Sequence, residues 1–229
     1  MFFTRIELNP QRRETKKLLA NPRAMHGAVE ACFPPSARSQ TTGRNLWRVD
    51  ADRHEVRLYI VSPSVPETEH LTENAGWRSA PAETAEYDRF LTAITKGQQF
   101  DFRVTVNPVK RQFVHGGRGR ILPHVTEEQQ LAWFTQRSEQ WGFKPRDHAV
   151  ASPDGNTEKS LPALRVIGRG NRQFGKHGDS QYHTVTQRQV TVVGRLEVTD
   201  TALLRASLTA GMGRGKAYGC GLMTLAKGR

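Results

Sequence analysis

Two stretches of the sequence match each other: FFTRIELNP at residues 2–10 and FDFRVTVNP at residues 100–108. When they are aligned, Phe, Arg, Asn and Pro coincide, and two of the apolar positions carry conservative pairs. Each stretch alternates apolar and polar residues and ends at an Asn-Pro turn, which is typical of a half-buried strand. A chance match of two short strands is the alternative interpretation. The similar order of the elements that follow favours a duplication.

A capped amphipathic helix is predicted after each repeated strand. In the first half Asn21 is a good N-cap, Pro22 suits the first helical position, and Met25 and Val29 share one apolar face. In the second half Thr126 and Gln129 can form a capping box, which predicts a helix that runs to Gly142. The two halves therefore begin with the same strand-and-helix unit.

The remaining segments extend this pattern to a complete fold. The first half reads β-α-β-β-α, and its last strand is poorly defined between Trp77 and Phe90. The second half reads β-α-β-β-α-β, with Asp200 capping its second helix and KAYGCGLMTLA (residues 216–226) as its last strand. This is the ferredoxin-like pattern. The predicted class is α+β, with tandem ferredoxin-like (RRM-like) βαββαβ domains at residues 1–95 and 96–229.

Charge is the strongest bulk signal in the composition. The chain has 34 Lys and Arg residues against 22 Asp and Glu residues, which gives a net charge of +12. Such an excess attracts polyanions, chiefly nucleic acid, although a merely soluble basic protein is the alternative. No apolar run is long enough for a membrane span, and the N-terminus lacks the apolar block of a signal peptide. The two cysteines, Cys32 and Cys220, suit a reducing cytoplasm.

Two basic segments rich in glycine are predicted to be flexible loops that contact a phosphate backbone. The longer segment contains Arg165, Arg169, Arg172 and Lys176. The shorter one contains Lys110 and Arg111, directly after the repeated Asn-Pro turn. A solvated surface charge is the alternative for each of these residues.

A third glycine-rich segment, GMGRGKAYGCG (residues 211–221), is not a phosphate-binding P-loop, because Ala occupies two of the required positions. Its glycines would let the backbone approach something large, and Arg214 and Lys216 suggest a phosphate backbone. Gly213 and Gly215 are therefore candidate RNA-binding residues alongside them. A glycine-rich turn packed against the neighbouring domain is the alternative.

His26 is an isolated imidazole beside the apolar face of the first predicted helix, close to its positively polarised N-terminus. The eight histidines are scattered, and no paired metal-ligand motif occurs. We therefore expect no cofactor, no metal site and, if the protein is an enzyme, metal-independent chemistry. Taken alone, a helical histidine is more often structural than catalytic.

Three motifs together resemble one family across essentially the whole chain. NPRAMHGAVEACFP, FRVTVNPVKR and GMGRGKAYGCGLMTLA are similar, in order and spacing, to segments of the CRISPR repeat-processing endoribonucleases of the CasE subgroup, which belongs to the type I-E Cascade complex. That family cleaves repeat RNA at the 3′ side of a stem-loop without metal. The ribose 2′-hydroxyl attacks the adjacent phosphate and leaves a 2′,3′-cyclic phosphate and a 5′-hydroxyl.

The resemblance implies a role for several residues and partners. His26 becomes the catalytic histidine, and the segment from Arg165 to Lys176 becomes the arm that grips the RNA stem. Family members often carry Tyr three residues before this histidine, whereas this chain has Arg23, which can contact the scissile phosphate but cannot usefully give up a proton. The implied partners are CRISPR repeat stem-loop RNA and the other Cascade subunits, with no membrane.

Two alternatives to the endoribonuclease remain at this point. A non-catalytic RNA-binding subunit of a ribonucleoprotein complex would have the same fold and the same basic surfaces. A duplex-DNA binder would share the positive charge but would not need the 2′-hydroxyl of its ligand.

Overall fold

The computed structural model describes residues 1–34, 43–52, 55–113, 119–151, 158–161, 163–177 and 182–228. The helices are α1 (Arg13–Ala20), α2 (Pro22–Ala31), α3 (Glu69–Ala75), α4 (Tyr87–Ala93), α5 (Glu127–Ser138) and α6 (Thr201–Ala210). The strands of the first half are β1 (Phe2–Leu8), β2 (Leu46–Ala51), β3 (Val56–Ser62) and β4 (Glu83–Glu86). Those of the second half are β5 (Gln99–Val106), β6 (Val109–Gln112), β7 (Arg120–Pro123), β8 (Phe143–Pro145), β9 (His148–Ala151), β10 (Glu158–Leu161), β11 (Leu164–His177), β12 (Tyr182–Val198) and β13 (Met223–Lys227).

Two antiparallel sheets with equivalent strand orders form the framework. The first sheet has the order β2-β3-β1-β4, and the second has the order β11-β12-β5-β13, with β8 also paired to β12. The repeated strands, β1 and β5, occupy the same interior position in the two sheets. This arrangement confirms the predicted α+β class and the tandem ferredoxin-like architecture. The last strand of the first half, which the sequence defined poorly, is β4, paired with β1.

The predicted helix starts are confirmed by their capping hydrogen bonds. Asn21 Oδ1 accepts the backbone N–H of Arg23 at 3.0 Å, so helix α2 begins where the sequence placed it. Thr126 Oγ1 accepts the N–H of Gln129 at 3.3 Å, at the start of α5. Asp200 Oδ1 accepts the N–H of Leu203 at 2.9 Å, at the start of α6. Helix α1 was not predicted, because it has no side-chain cap.

Three predicted segments have a different structure. In the shorter basic segment, Lys110 and Arg111 are not in a flexible loop: they lie in strand β6, which is paired with β7. The basic segment from Arg165 to Lys176 is not a flexible loop: it is part of β11, and it pairs along its length with β12. The predicted C-terminal strand begins only at Met223. The left-handed φ angles of Gly219 (+81°) and Gly221 (+90°) are incompatible with a strand, and a 3-10 turn occupies Lys216–Tyr218 instead.

The two sheets share buried surface, because the first sheet is covered on both faces. Trp47 packs into the core between this sheet and its helices, whereas Leu46, on the opposite face of β2, packs into the core of the second half. Ile94, from the end of the first half, belongs to that same second core. The division of the chain at 95/96 stays a prediction: the first half has a core of its own between its sheet and its helices, and the other face of that sheet belongs to the core of the second half.

The remaining bulk expectations concern cysteines and membranes. Cys32 and Cys220 are free and buried, and burial raises the pKa of these thiols to about 11 and about 12. Both thiols are therefore protonated and unreactive near neutral pH. In the described part of the chain no helix has the length and apolar character required to span a membrane.

Candidate RNA-processing site

His26 lies on helix α2 with one ring nitrogen buried and part of the ring exposed. Its side chain is 33% exposed, whereas its Nδ1 atom is buried and lies 3.9 Å from Glu30 Oε1, one helical turn further on. No atom of the described residues forms a hydrogen bond with Nδ1. Because Nδ1 faces inward beside a carboxylate, Nε2 is the ring nitrogen that a substrate could reach.

An aromatic pair from the second half of the chain adjoins this imidazole. The rings of His26 and Tyr218 meet edge to face, with centroids 6.4 Å apart. Tyr218 in turn contacts Phe174 of β11 at a centroid distance of 4.4 Å, and Phe174 is buried. The catalytic candidate therefore lies at the junction of α2, the C-terminal glycine-rich segment and the β11–β12 hairpin.

The glycine-rich segment holds Tyr218 in this place. Gly215 and Gly219, which flank the 3-10 turn, have left-handed φ angles of +85° and +81°. A Cβ atom on Gly219 would lie 2.7 Å from the indole of Trp47, so only glycine allows this close approach. Gln189 Nε2 also donates a hydrogen bond to the carbonyl oxygen of Tyr218 at 2.6 Å. Conformation and packing together fix the phenol beside His26.

Three of the predicted RNA-binding arginines lie around this junction. Arg23 is exposed at the N-terminus of α2, and its Nη1 donates to the carbonyl of Gly175 in β11 at 3.1 Å. Arg172 is exposed on the same face of β11 as Phe174. Arg169 is also exposed, but its guanidinium is paired with Glu127 of helix α5. An RNA phosphate at Arg169 would therefore compete with a carboxylate.

The remaining predicted RNA-binding residues of the two basic segments lie on β11 and on a second hairpin. Arg165 is exposed near the start of β11. Lys176 lies near the other end of the strand, but its side chain is outside the part that the structure describes. Lys110 and Arg111 are exposed on a different hairpin, β6–β7, which is anchored by a hydrogen bond from Trp133 Nε1 to the carbonyl of Val109 at 3.1 Å.

His124 lies close to Lys110 of the β6–β7 hairpin. The pKa of His124 is lowered by burial first and then by the charges of Lys110 and Arg137. The neutral imidazole is therefore favoured, and His124 adds no positive charge to the hairpin near pH 7.

The glycine-rich segment faces protein rather than open solvent at the predicted glycines. A Cβ atom on Gly213 would lie 3.2 Å from the Trp133 ring, and one on Gly215 would lie 3.0 Å from Gln187 Nε2. Both glycines are therefore part of a turn that packs against protein, which was the alternative interpretation of this segment from the sequence. Their contact with RNA stays a prediction.

The two cations of this segment differ in exposure. Arg214 is exposed, whereas Lys216 is partly buried, and this burial together with the nearby charge of Arg44 lowers the pKa of its ammonium group. Arg214 is the better placed of the two to meet a phosphate in solution.

Sequence reasoning missed the aromatic and acidic neighbours of His26. Glu30 could have been found, since residues four apart on a helix are neighbours. Tyr218 and Phe174 carry no local signal of this kind, because only the tertiary fold brings them to α2.

Comparison with known proteins gives matches along the whole chain. A family model described as CRISPR associated protein matches residues 1–227. The CRISPR-associated endoribonuclease Cse3 of Thermus thermophilus is 28% identical over 228 residues, which cover 99% of this chain and 100% of that protein. A structure of CRISPR endoribonuclease Cse3 bound to 19 nt RNA has a TM-score of 0.76 at 26% identity and covers 99% of this chain and 100% of the other.

A chain of a CRISPR RNA-guided surveillance complex in a pre-nicking state has a TM-score of 0.64 at 18% identity, with 99% of each chain covered. At this identity the match concerns the fold alone. The two sheets, with their equivalent strand orders, define the class of tandem ferredoxin-like proteins. The chain belongs to the CRISPR-associated protein family, and its resemblance to the CasE-type endoribonucleases is confirmed.

Proposed function

We propose that this protein cleaves CRISPR repeat stem-loop RNA by attack of a ribose 2′-hydroxyl on the adjacent phosphate, without a metal ion. The products are a 2′,3′-cyclic phosphate and a 5′-hydroxyl, and the protein stays bound to the mature RNA. The observation that carries the proposal is the imidazole of His26, with Nδ1 buried, beside Tyr218 and about one helical turn from Arg23, which contacts the β11–β12 hairpin.

The proposed step conserves atoms and electrons without a co-reactant. The 2′-oxygen forms a bond to phosphorus, the bond from phosphorus to the 5′-oxygen breaks, and one proton moves from the 2′-hydroxyl to the leaving oxygen. His26 Nε2 accepts the first proton or donates the second, as an imidazole can do near neutral pH. Arg23 and Arg172 stabilise the additional negative charge of the pentavalent phosphate.

Tyr218 is our candidate for the second group in proton transfer. Arg23 occupies the position where family members often carry tyrosine, and a guanidinium cannot transfer a proton at neutral pH. Tyr218 brings a phenol to the same imidazole from the other half of the chain, at a centroid distance of 6.4 Å. In this proposal the role of the usual tyrosine has moved from α2 to the glycine-rich segment.

The exposed cations supply the grip on the RNA. The arginines of β11 lie along one strand of a long hairpin, and A-form RNA is recognised mostly through its shape and backbone. The relatives include an RNA-bound Cse3 and a chain of a surveillance complex, which supports repeat RNA and the other Cascade subunits as partners. We propose that the protein acts on this RNA in the cytoplasm.

The chemistry of the products tests the proposed reaction directly. With a repeat stem-loop RNA, we expect mass spectrometry to show a 2′,3′-cyclic phosphate on one fragment and a 5′-hydroxyl on the other. Excess EDTA should leave the rate unchanged, and a single 2′-deoxy substitution at the scissile nucleotide should abolish cleavage. A 5′-phosphate product, or cleavage of the deoxy substrate, would contradict the proposal.

Tyr218→Phe tests the second proton-transfer group. The variant keeps the aromatic contacts with His26 and Phe174 and removes only the hydroxyl. We expect single-turnover cleavage to slow by about 10- to 100-fold, with RNA affinity within about twofold of wild type. Tyr59→Phe is the matched control, because Tyr59 is partly buried on β3, against Arg48, and should give the wild-type rate. Equal rates for both variants would remove Tyr218 from the mechanism.

A further inference from the structure

A cavity of about 530 Å³ lies between the N-terminal helices and the β11–β12 hairpin, directly beside the proposed cleavage site. Leu18, Met25 and Trp47 form its apolar side. Gly170, Arg172 and Gln189, from the two strands of the hairpin, form the opposite side. This volume falls in the range of pockets that bind small ligands.

The two sides of the cavity differ in chemistry, and they suit the two parts of a nucleotide, its base and its phosphate. The apolar side is formed by aliphatic groups and by the small exposed part of the Trp47 indole, and it suits an apolar contact with a base. The hairpin side presents guanidinium groups, which suit a phosphate. Among the described residues that line the cavity, none is acidic, but Arg169 of the lining is paired with Glu127 of α5. Arg172 is therefore the guanidinium of the lining that we assign to a phosphate.

Two details show that the cavity can accept a partner. Trp47 is only 4% exposed, and its Nε1 has no hydrogen-bond acceptor among the described residues. A buried donor without an acceptor is costly, and a ligand oxygen or nitrogen could supply the missing acceptor. A Cβ atom added to Gly170 would meet nothing within 4 Å, so this stretch of the hairpin faces open space.

The cavity is continuous with the surroundings of His26. Tyr218 lines the cavity and also contacts the His26 ring, and Met25 of the lining is the residue before His26. A base inside a stacked duplex cannot enter such a space, whereas an unpaired base can leave its strand and do so. A nucleotide held here would therefore lie next to the phosphate that His26 addresses.

We propose that this cavity binds one unpaired nucleotide of the RNA substrate, with the base against Trp47 and a phosphate at Arg172. The inference rests on the proposed function, since it assumes an RNA substrate at His26. It adds a specificity element: the enzyme would recognise an unpaired nucleotide beside the stem as well as the stem itself.

The test compares three RNAs that share one stem-loop. The first has no flank, the second has short unpaired flanks on both sides, and the third has abasic flanks that keep the phosphates. Binding is measured on the full chain in a His26→Ala background, which prevents cleavage. We expect the base-containing flank to tighten binding about 10-fold or more relative to the abasic flank.

Gly170→Leu fills the cavity and Asn171→Leu is its matched control. Gly170 has room for a side chain, and Asn171 is an exposed neighbour whose side chain points to the other face of β11. We expect Gly170→Leu to lose the gain from the flanking bases while keeping its affinity for the bare stem-loop. Asn171→Leu should keep both.

Each outcome decides one question. If Gly170→Leu keeps the full gain, or wild type shows none, the cavity is not a nucleotide site. Because misfolding of Gly170→Leu would imitate a loss, its affinity for the bare stem-loop must match that of wild type. As a second measurement, Arg172→Ala, at an exposed position, must weaken binding of both flanked RNAs relative to the bare stem-loop. If none of the three RNAs binds, the proposed function itself fails, and this result is distinct from loss of the flank effect alone.

Discussion

His26→Ala is expected to slow cleavage of a repeat stem-loop RNA by about 10²–10⁴-fold while leaving its affinity for that RNA near the wild-type value. A general acid or base held in position typically accelerates the chemical step by this factor. Affinity should persist because the cations that grip the backbone lie on other residues, such as Arg172 of β11. Single-turnover rates, together with binding measured separately, would give the two quantities independently.

His70→Ala is the matched control for this experiment. His70 is also a partly buried imidazole on a helix of the first half, but it lies on α3, where it lines a different cavity together with Leu18, Leu71 and Ala75. The His70→Ala variant should cleave the repeat RNA at the wild-type rate. If His26→Ala also cleaves at that rate, the His26 imidazole has no catalytic role, and the non-catalytic RNA-binding subunit becomes the better interpretation. Parallel loss of affinity would instead indicate a binding residue.

The elements with strong local signals could be predicted from the sequence. Strands β1 and β5 have clear alternation and an Asn-Pro end, and α2 has both an N-cap and a proline at its first position. Strand β11 was misread as a loop because Gly168, Gly170 and Gly175 interrupt its alternation. Pairing with β12 over its whole length outweighs the low strand propensity of these glycines.

The site could be predicted only where it is local. The position of His26 on α2 followed from the helix signals, and the arginines of β11 followed from charge. The phenol of Tyr218 and the indole of Trp47 could not be placed, because their contacts depend on how two halves of the chain pack together. The backbone at Gly219, for example, packs directly against the Trp47 ring. Because these two residues are far apart in the sequence, no local spacing predicts their contact.

Arg48→Ala is expected to destabilise the protein by about 3–5 kcal/mol, since it removes one partner of a buried ion pair. Arg48 is 1% exposed on β2, and its Nε and Nη2 atoms each donate to Asp50 at 2.8 Å. The same guanidinium donates to the carbonyl oxygen of Arg103 and to Thr224 Oγ1 in the second sheet, and to the carbonyl oxygen of Leu222 just before β13. Alanine would leave these acceptors without their donor and open a cavity between the sheets.

Arg5→Ala is the control, because Arg5 makes a similar pair in an exposed setting. Its Nη2 donates to both Glu83 carboxylate oxygens at 2.8 and 2.9 Å, yet its side chain is 39% exposed. Exposed pairs of this kind contribute about 0–1 kcal/mol, so chemical denaturation should separate the two variants clearly. Equal losses would mean that the Arg48 contacts do not hold the sheets together. The expected difference would instead show that one buried side chain stabilises the contact between the first sheet and strands β5 and β13 of the second.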